Sequence, residues 1–350
     1  MKNINEKIID WVVSKIKDAY PEDIAMLLVY GSYVNGTSNA LSDVDFYFIP
    51  KTDRGFKMSQ TFIIRGIGYD LFPMSWERVE GIADFKEPLT PLVGNVRIAY
   101  YASEQDLARF EQIQANLAKN LSDEKFMRDI AVKNLEKAMS KYTKLLLSSQ
   151  EKTTRAVSGE ILLLLSDAVA YMNQTYFKKG LKNQLQDLET MKLMPDGYIA
   201  LYKQVIAAKT FDQISKYTFQ MIKETSRMIE NAGKVDHKTK STDFHEIKGA
   251  YEELLSTWNK VKVCCAQGNK ELAFISGVNL QSVLDWLSED YTFPEYDLMG
   301  SFDSENLEAF DQKAEAIRLE ILVFLKSNGV EVIDYETFEA FRDKVGDNNV

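Results

Sequence analysis

The spacing at which apolar residues recur changes once along this chain, close to Leu121, and that change restricts the fold more than any single motif. Before it, short β-branched or aromatic runs (IAMLLVYG, DVDFYFIP, TFIIR, YDLFPM, VRIAYY) are separated by Gly, Pro and Asn clusters, as strands and turns require. After it, stretches 123–149, 153–179, 197–232, 243–267 and 269–288 carry apolar residues at helical spacing, with few strand candidates. The expectation is an α+β chain, with a small mixed β-sheet domain over residues 1–120 and then a mostly α-helical region of bundle type. At the N-terminus Ile8, Ile9, Val12, Val13 and Ile16 follow helical spacing between charges, which describes an amphipathic helix and not a signal sequence. Pro195 and Gly197 interrupt the helical region, and the polar run 234–243 suggests a second boundary, giving helical domains over 121–240 and 241–350. Near the C-terminus GVEVIDYETFEAFRDKV suggests a short strand before a last helix.

Charge and residue usage narrow the function. The net charge is −10, the wrong sign for a bulk electrostatic grip on nucleic acid, so a nucleotide and a small molecule are the expected partners. No apolar run approaches the roughly 20 residues of a membrane span, so a cytoplasmic chain with no membrane partner is expected. Cys264 and Cys265 are adjacent, a strained arrangement for a disulfide, and are expected to serve packing. The only histidines, His237 and His245, are too few for His-based zinc sites or a Ser-His-Asp triad. Any metal must therefore be held by carboxylates.

The chemistry is concentrated in LLVYGSYVNGTSNALSDVDFYFIP, where an apolar strand ends at Tyr30, a Gly31-Ser32 turn follows, and a ten-residue gap leads to Asp43-Val44-Asp45. In an extended segment Asp43 and Asp45 share one face, and two carboxylates there repel unless a cation lies between them. Mg²⁺ prefers such oxygen ligands and completes its shell with water and phosphate. Gly31 permits close backbone approach to a phosphate, and Ser32 offers a hydroxyl and a backbone donor. Gly36 and Thr37 supply a second turn that lets the chain fold back, and Asp70, in RGIGYDLFPMSWE, falls on a neighbouring strand as a third acid.

Together these residues resemble the nucleotidyltransferase superfamily of DNA polymerase β type, and within it the bacterial small-molecule adenylyltransferases that modify aminoglycosides and lincosamides. The likeness covers roughly residues 24–118. It implies transfer of a nucleoside monophosphate, commonly AMP from ATP, to a hydroxyl of a small-molecule acceptor, with an aminoglycoside-like antibiotic as one candidate. It implies that Gly31 and Ser32 bind the triphosphate, that Asp43 and Asp45 ligate two Mg²⁺ ions, and that Asp70 ligates the catalytic ion and helps to activate the nucleophile. Two other readings are AMP transfer to a protein or RNA, and a catalytically silent nucleotide-binding or interaction protein.

In the helical region Glu160 and Asp167 lie seven apart, two turns along one helix face. Some small-molecule nucleotidyltransferases take an acceptor-activating carboxylate from outside the Asp-x-Asp strand, which makes Glu160 a candidate general base and Asp167 a candidate ligand for an acceptor amine. The competing reading makes both structural. Lys137, Lys141 and Lys144, with Arg65 and Lys57, are candidates to meet phosphate charge, against the plainer reading of solvated faces. Tyr171, Tyr176, Phe177, Tyr198 and Tyr202 are expected mainly in the core, with one lining a pocket. There is no P-loop, and GIGYDL lacks the third glycine of a dinucleotide fingerprint.

Overall fold

Five short strands form one mixed sheet near the N-terminus: β1 (Ile24–Tyr30), β2 (Asp45–Pro50), β3 (Gln60–Ile64), β4 (Ile67–Pro73) and β5 (Arg97–Tyr101). Their order is β3-β4-β2-β1-β5, antiparallel throughout except that β2 and β4 run parallel. The computed structural model describes residues 4–39, 41–147, 151–233 and 240–346. It divides into two units, Met1–Val235 and Asp236–Val350.

In the first unit α1 (Ile4–Ala19) precedes the sheet, and α2 (Gly31–Val34), α3 (Trp76–Ala83) and α4 (Pro91–Gly94) fall between strands. After β5 the chain is helical: α5 (Glu104–Ser122), α6 (Glu124–Leu147), α7 (Glu151–Met172), α8 (Gln184–Glu189), α9 (Tyr198–Ala207) and α10 (Phe211–Gly233). The expected α+β class, a small mixed sheet followed by helices, is what the chain adopts.

Strand alternation sorts the sheet onto two cores. Leu27, Val29, Phe46, Phe48, Tyr69 and Leu71 pack against the Ile8, Ile9, Val12 and Ile16 stripe of α1. Met26, Leu28, Tyr47 and Ile49 face the other way, into a core shared with Phe110, Leu117, Met127, Leu165 and Met221 of the later helices. Each such large side chain, fully buried, contributes about 1.5–3 kcal/mol. Because this second core runs from the sheet into α10, the change near residue 120 is a change of secondary structure inside one unit.

Helix ends differ from the spacing where side chains intervene. The periodic stretch 153–179 stops being helix at Met172, because Asn173 Nδ2 donates to the Val169 and Leu193 carbonyls, both at 2.8 Å, and Gln174 turns left-handed at φ 52°. The stretch 197–232 splits at 208–210, where Thr210 Oγ1 accepts from Gln213 N (3.3 Å) and Gln213 Oε1 accepts from Lys209 N (3.0 Å).

The second unit consists of α11 (Phe244–Ala266), α12 (Lys270–Asp290), α13 (Leu307–Ser327) and α14 (Phe338–Gly346). Asp243, Asn269 and Asn306 cap α11, α12 and α13 through their side-chain oxygens. Tyr251, Trp258, Leu284, Phe310 and Ile317 form its core, and Trp258 Nε1 donates to the Ala314 carbonyl at 3.1 Å. The strand expected in GVEVI does not form among the described residues. A strand needs an edge to pair with, and the regular elements of this unit are helices, so Val330 is buried in the helical core instead. Cys264 is buried and Cys265 half-buried, both as free thiols. His245 is exposed at the start of α11, and His237 lies outside the described residues.

Gly277 on α12 is required by packing: a Cβ there would come within 2.5 Å of Phe310 Cζ and 2.9 Å of Met299 Sδ. Gly277→Ala is expected to destabilise this unit by about 1–3 kcal/mol despite the better helix propensity of Ala, measurable as a lower thermal midpoint. Among the described residues, no helix is long and apolar enough to cross a membrane.

Candidate active site

The ladder between β1 and β2 places Tyr30 opposite Asp45. In the parallel pair β2/β4, Phe46 lies beside Leu71, so Asp45 and Asp70 stand next to one another one position earlier. Phe46 and Leu71 point toward α1, so Asp45, Asp70 and Tyr30 project from the opposite face. Val44 is fully buried on the α1 side, which gives Asp43 the same parity as Asp45. Asn5 of α1 donates to the Asp43 carbonyl at 3.4 Å and ties down the approach to β2.

The electrostatics reflect this convergence. Burial first, and then the Asp43 charge, push the Asp45 carboxyl up to about 6, opposed by a hydrogen bond from the Ser32 backbone N–H. Burial, followed by the charges of Asp45, Asp43 and Asp70, pushes the Tyr30 phenol up to about 12. Gly31 has φ +74°, and a Cβ on it would lie 1.9 Å from Asp45 Oδ2. The Gly31-Ser32 turn is thus moulded around the Asp45 carboxylate, with glycine required on both conformational and steric grounds.

Asp70 shares the face but is exposed, and Thr61 Oγ1 donates to its Oδ1 at 2.9 Å across the β3–β4 hairpin. Among the described residues, no group of three or more His, Cys, Asp or Glu side chains is placed to hold a metal ion. Asp43 and Asp45 together suit one Mg²⁺, which commonly takes one or two protein carboxylates and fills its octahedron with water and phosphate oxygens.

A cavity of about 600 Å³ begins at Tyr30 and Gly31. One face of α7 forms a wall of it, with Glu160, Leu163, Leu164, Asp167 and Tyr171 at helical spacing. Ser32, Asp43, Asp45 and Asp70 are not in its lining. The structure brings both helical acids to the cavity in different states. Glu160 is paired with Lys141 Nζ at 2.5 Å, both side chains well exposed, so its carboxylate is engaged. Asp167 is largely buried, and burial pushes its carboxyl up to about 7.

Of the other candidate cations only Lys141 reaches the cavity; Lys137 and Lys144 are exposed elsewhere on α6. Arg65 occupies the β3–β4 turn at φ 53° and Lys57 is exposed in the turn before β3. Tyr171, Tyr176 and Phe177 line the cavity, whereas Tyr198 is core, with its hydroxyl 3.2 Å from Ser166 Oγ.

Among the lining residues that the sequence does not single out are Tyr30, Lys178 and Lys179. Tyr30 carried a signal, since it ends the strand just before Gly-Ser and pairs with Asp45. The lysine loop did not, because its place depends on distant contacts: Asn35 Nδ2 donates to the Lys178 carbonyl at 3.1 Å, and Lys182 Nζ donates to the Thr37 carbonyl.

No family model matches the chain, and no curated protein does. Among solved structures, a nucleotidyltransferase-like protein from Exiguobacterium sibiricum 255-15 is similar over 64% of this chain and 75% of that one, with a TM-score of 0.35 and 8% identity. A likeness that distant identifies neither an activity nor a substrate.

Proposed function

We propose that this chain is a metal-dependent nucleotidyltransferase that moves a nucleoside monophosphate, AMP from ATP, to a hydroxyl of a small-molecule acceptor. The observation that carries the reading is the Asp43–Asp45 pair, in which one carboxyl is raised by burial and then by the other's charge, and is wrapped by Gly31 and the Ser32 N–H. Two acids held on one face at this cost imply a cation as their missing partner. Mg²⁺ bound by Asp43 and Asp45 would supply positive charge to the phosphate oxygens.

The chain's own groups would do the rest. The Gly31-Ser32 turn and the nearby Lys178 and Lys179 would receive the triphosphate, while the cavity beyond Tyr30 would hold the organic part of a substrate. The acceptor oxygen bonds to the α-phosphorus as the bond to the β-phosphate oxygen breaks, pyrophosphate leaves, and the hydroxyl proton passes to a carboxylate or to water. Asp70 is the exposed acid of the three, and it would take part by turning from Thr61.

Pyrophosphate release from each NTP with Mg²⁺, across hydroxylated small molecules, tests this. Acceptor-dependent release is the expected result, and none with any acceptor would overturn it. A second reading, nucleotide binding without turnover, is favoured by Asp70 being held by Thr61 and not grouped with the other two acids. Mg²⁺-dependent ATP binding with no release would select it.

A further inference from the structure

Asp167 presents a carboxylate to the cavity without a counter-charge. Among the described residues no hydrogen-bond donor or cation pairs with it, and burial is the whole cause of its raised pKa, about 7. Nearby lysines do not pair with it: Lys141 is committed to Glu160, and Lys178 and Lys179, which line the same cavity, form no ion pair with Asp167. The apolar part of the cavity lining includes Leu163, Leu164, Leu89 and Leu92 with the rings of Tyr171 and Phe177. Such walls suit an apolar or aromatic body, and ring faces also attract an organic cation.

We propose that this cavity binds an organic monocation with an apolar body, its positive group placed against Asp167. That the ligand is the acceptor rests on the nucleotidyl-transfer reading; that the cavity takes such a cation does not. A polyhydroxylated polycation fits poorly, because leucine and aromatic walls would leave most of its hydroxyls and ammonium groups unpaired. The adenine base fits the walls but brings no charge to match the carboxylate.

The probe is benzyltrimethylammonium, a permanent cation, titrated calorimetrically into the full chain without nucleotide. Ionised Asp167 adds a charge attraction that its protonated form lacks, so the apparent affinity is expected to rise by up to about tenfold between about pH 6 and about pH 8, following the ionised fraction. The titratable groups facing Asp167 are Tyr171 on its own helix and Tyr198 on α9, whose phenols burial keeps protonated in that range. Tyr30, Lys141, Glu160, Lys178 and Lys179 line the same cavity, and α8 and α10 bring no charged residue to its lining.

Asp167→Asn is expected to weaken binding at least about tenfold at the higher pH and to abolish the pH dependence. Leu163→Arg, on the exposed side of the wall, gives a second route to the same loss by placing a fixed cation there. Unchanged affinity in both variants, or an equal loss in Glu160→Gln, would overturn the proposal. So would ATP binding that weakens in Asp167→Asn while the cation fails to bind, since that result assigns the cavity to the base. Benzyl(2-hydroxyethyl)dimethylammonium separates the two readings: if it binds but fails to drive pyrophosphate release, it counts against the transferase and leaves the cation site standing.

Discussion

Asp45→Asn is expected to lower Mg²⁺-dependent pyrophosphate release by about 10³-fold or more while the chain stays folded. The carboxylate is one of two on the face that would meet the metal, and an amide in its place removes a full negative charge from that pair. The same substitution should not destabilise the fold at neutral pH, which separates loss of chemistry from loss of structure. In the folded chain the Asp45 carboxyl sits at about 6, above its ordinary 3.8. Its contribution to stability is therefore full below about pH 4 and lost as pH rises through about 6. Above that range the charge opposes folding, and with solvent screening discounted the penalty is about 1 kcal/mol in the absence of divalent ions. Thermal midpoints of the variant should lie above the parent near pH 8 and meet it below about pH 4. A midpoint well below the parent at pH 8, or full turnover, would remove Asp45 from the site.

The parts of this site that can be read from the sequence are those set by local geometry. Alternation along DVDFYFIP fixes Asp43 and Asp45 on one face because Val44 and Phe46 must be buried on the other, and the five strand runs stand out for the same reason. Gly31 stands out by its place after an apolar strand, although its steric reason, the Asp45 carboxylate, appears only once β1 and β2 pair.

What the sequence hides depends on distant partners. Glu160 and Asp167 look alike on one helix face, yet Lys141, 19 residues away, neutralises one and nothing among the described residues pairs with the other. Asp70 has the right parity, but Thr61 across a hairpin claims it. The split at 208–210 and the helix end at Met172 arise from Thr210, Gln213 and Asn173 side chains competing for backbone groups, which apolar spacing does not register.

Gly31→Ala is expected to be as damaging to turnover as loss of Asp45, for a different reason. The residue has φ +74°, where a Cβ costs about 1–2 kcal/mol before any contact is considered. In addition the Cβ would fall 1.9 Å from Asp45 Oδ2, so the carboxylate must swing away or the turn must open. Either movement breaks the Ser32 N–H contact with Asp45 and separates the phosphate-binding turn from the acids, and a loss of about 2–4 kcal/mol in stability is expected. A double-mutant cycle isolates the steric part. In an Asp45→Ala background the two closest contacts, to Oδ2 and Cγ, are gone and only the position-45 Cβ at 3.1 Å remains, while the left-handed backbone persists, so Gly31→Ala should then cost little more than the conformational share. A coupling of about 1 kcal/mol or more between the two positions is the expected result from denaturant titrations. Additive effects would mean that Gly31 serves the turn alone, and that the fit between the Gly-Ser turn and the second aspartate contributes nothing to holding the site together.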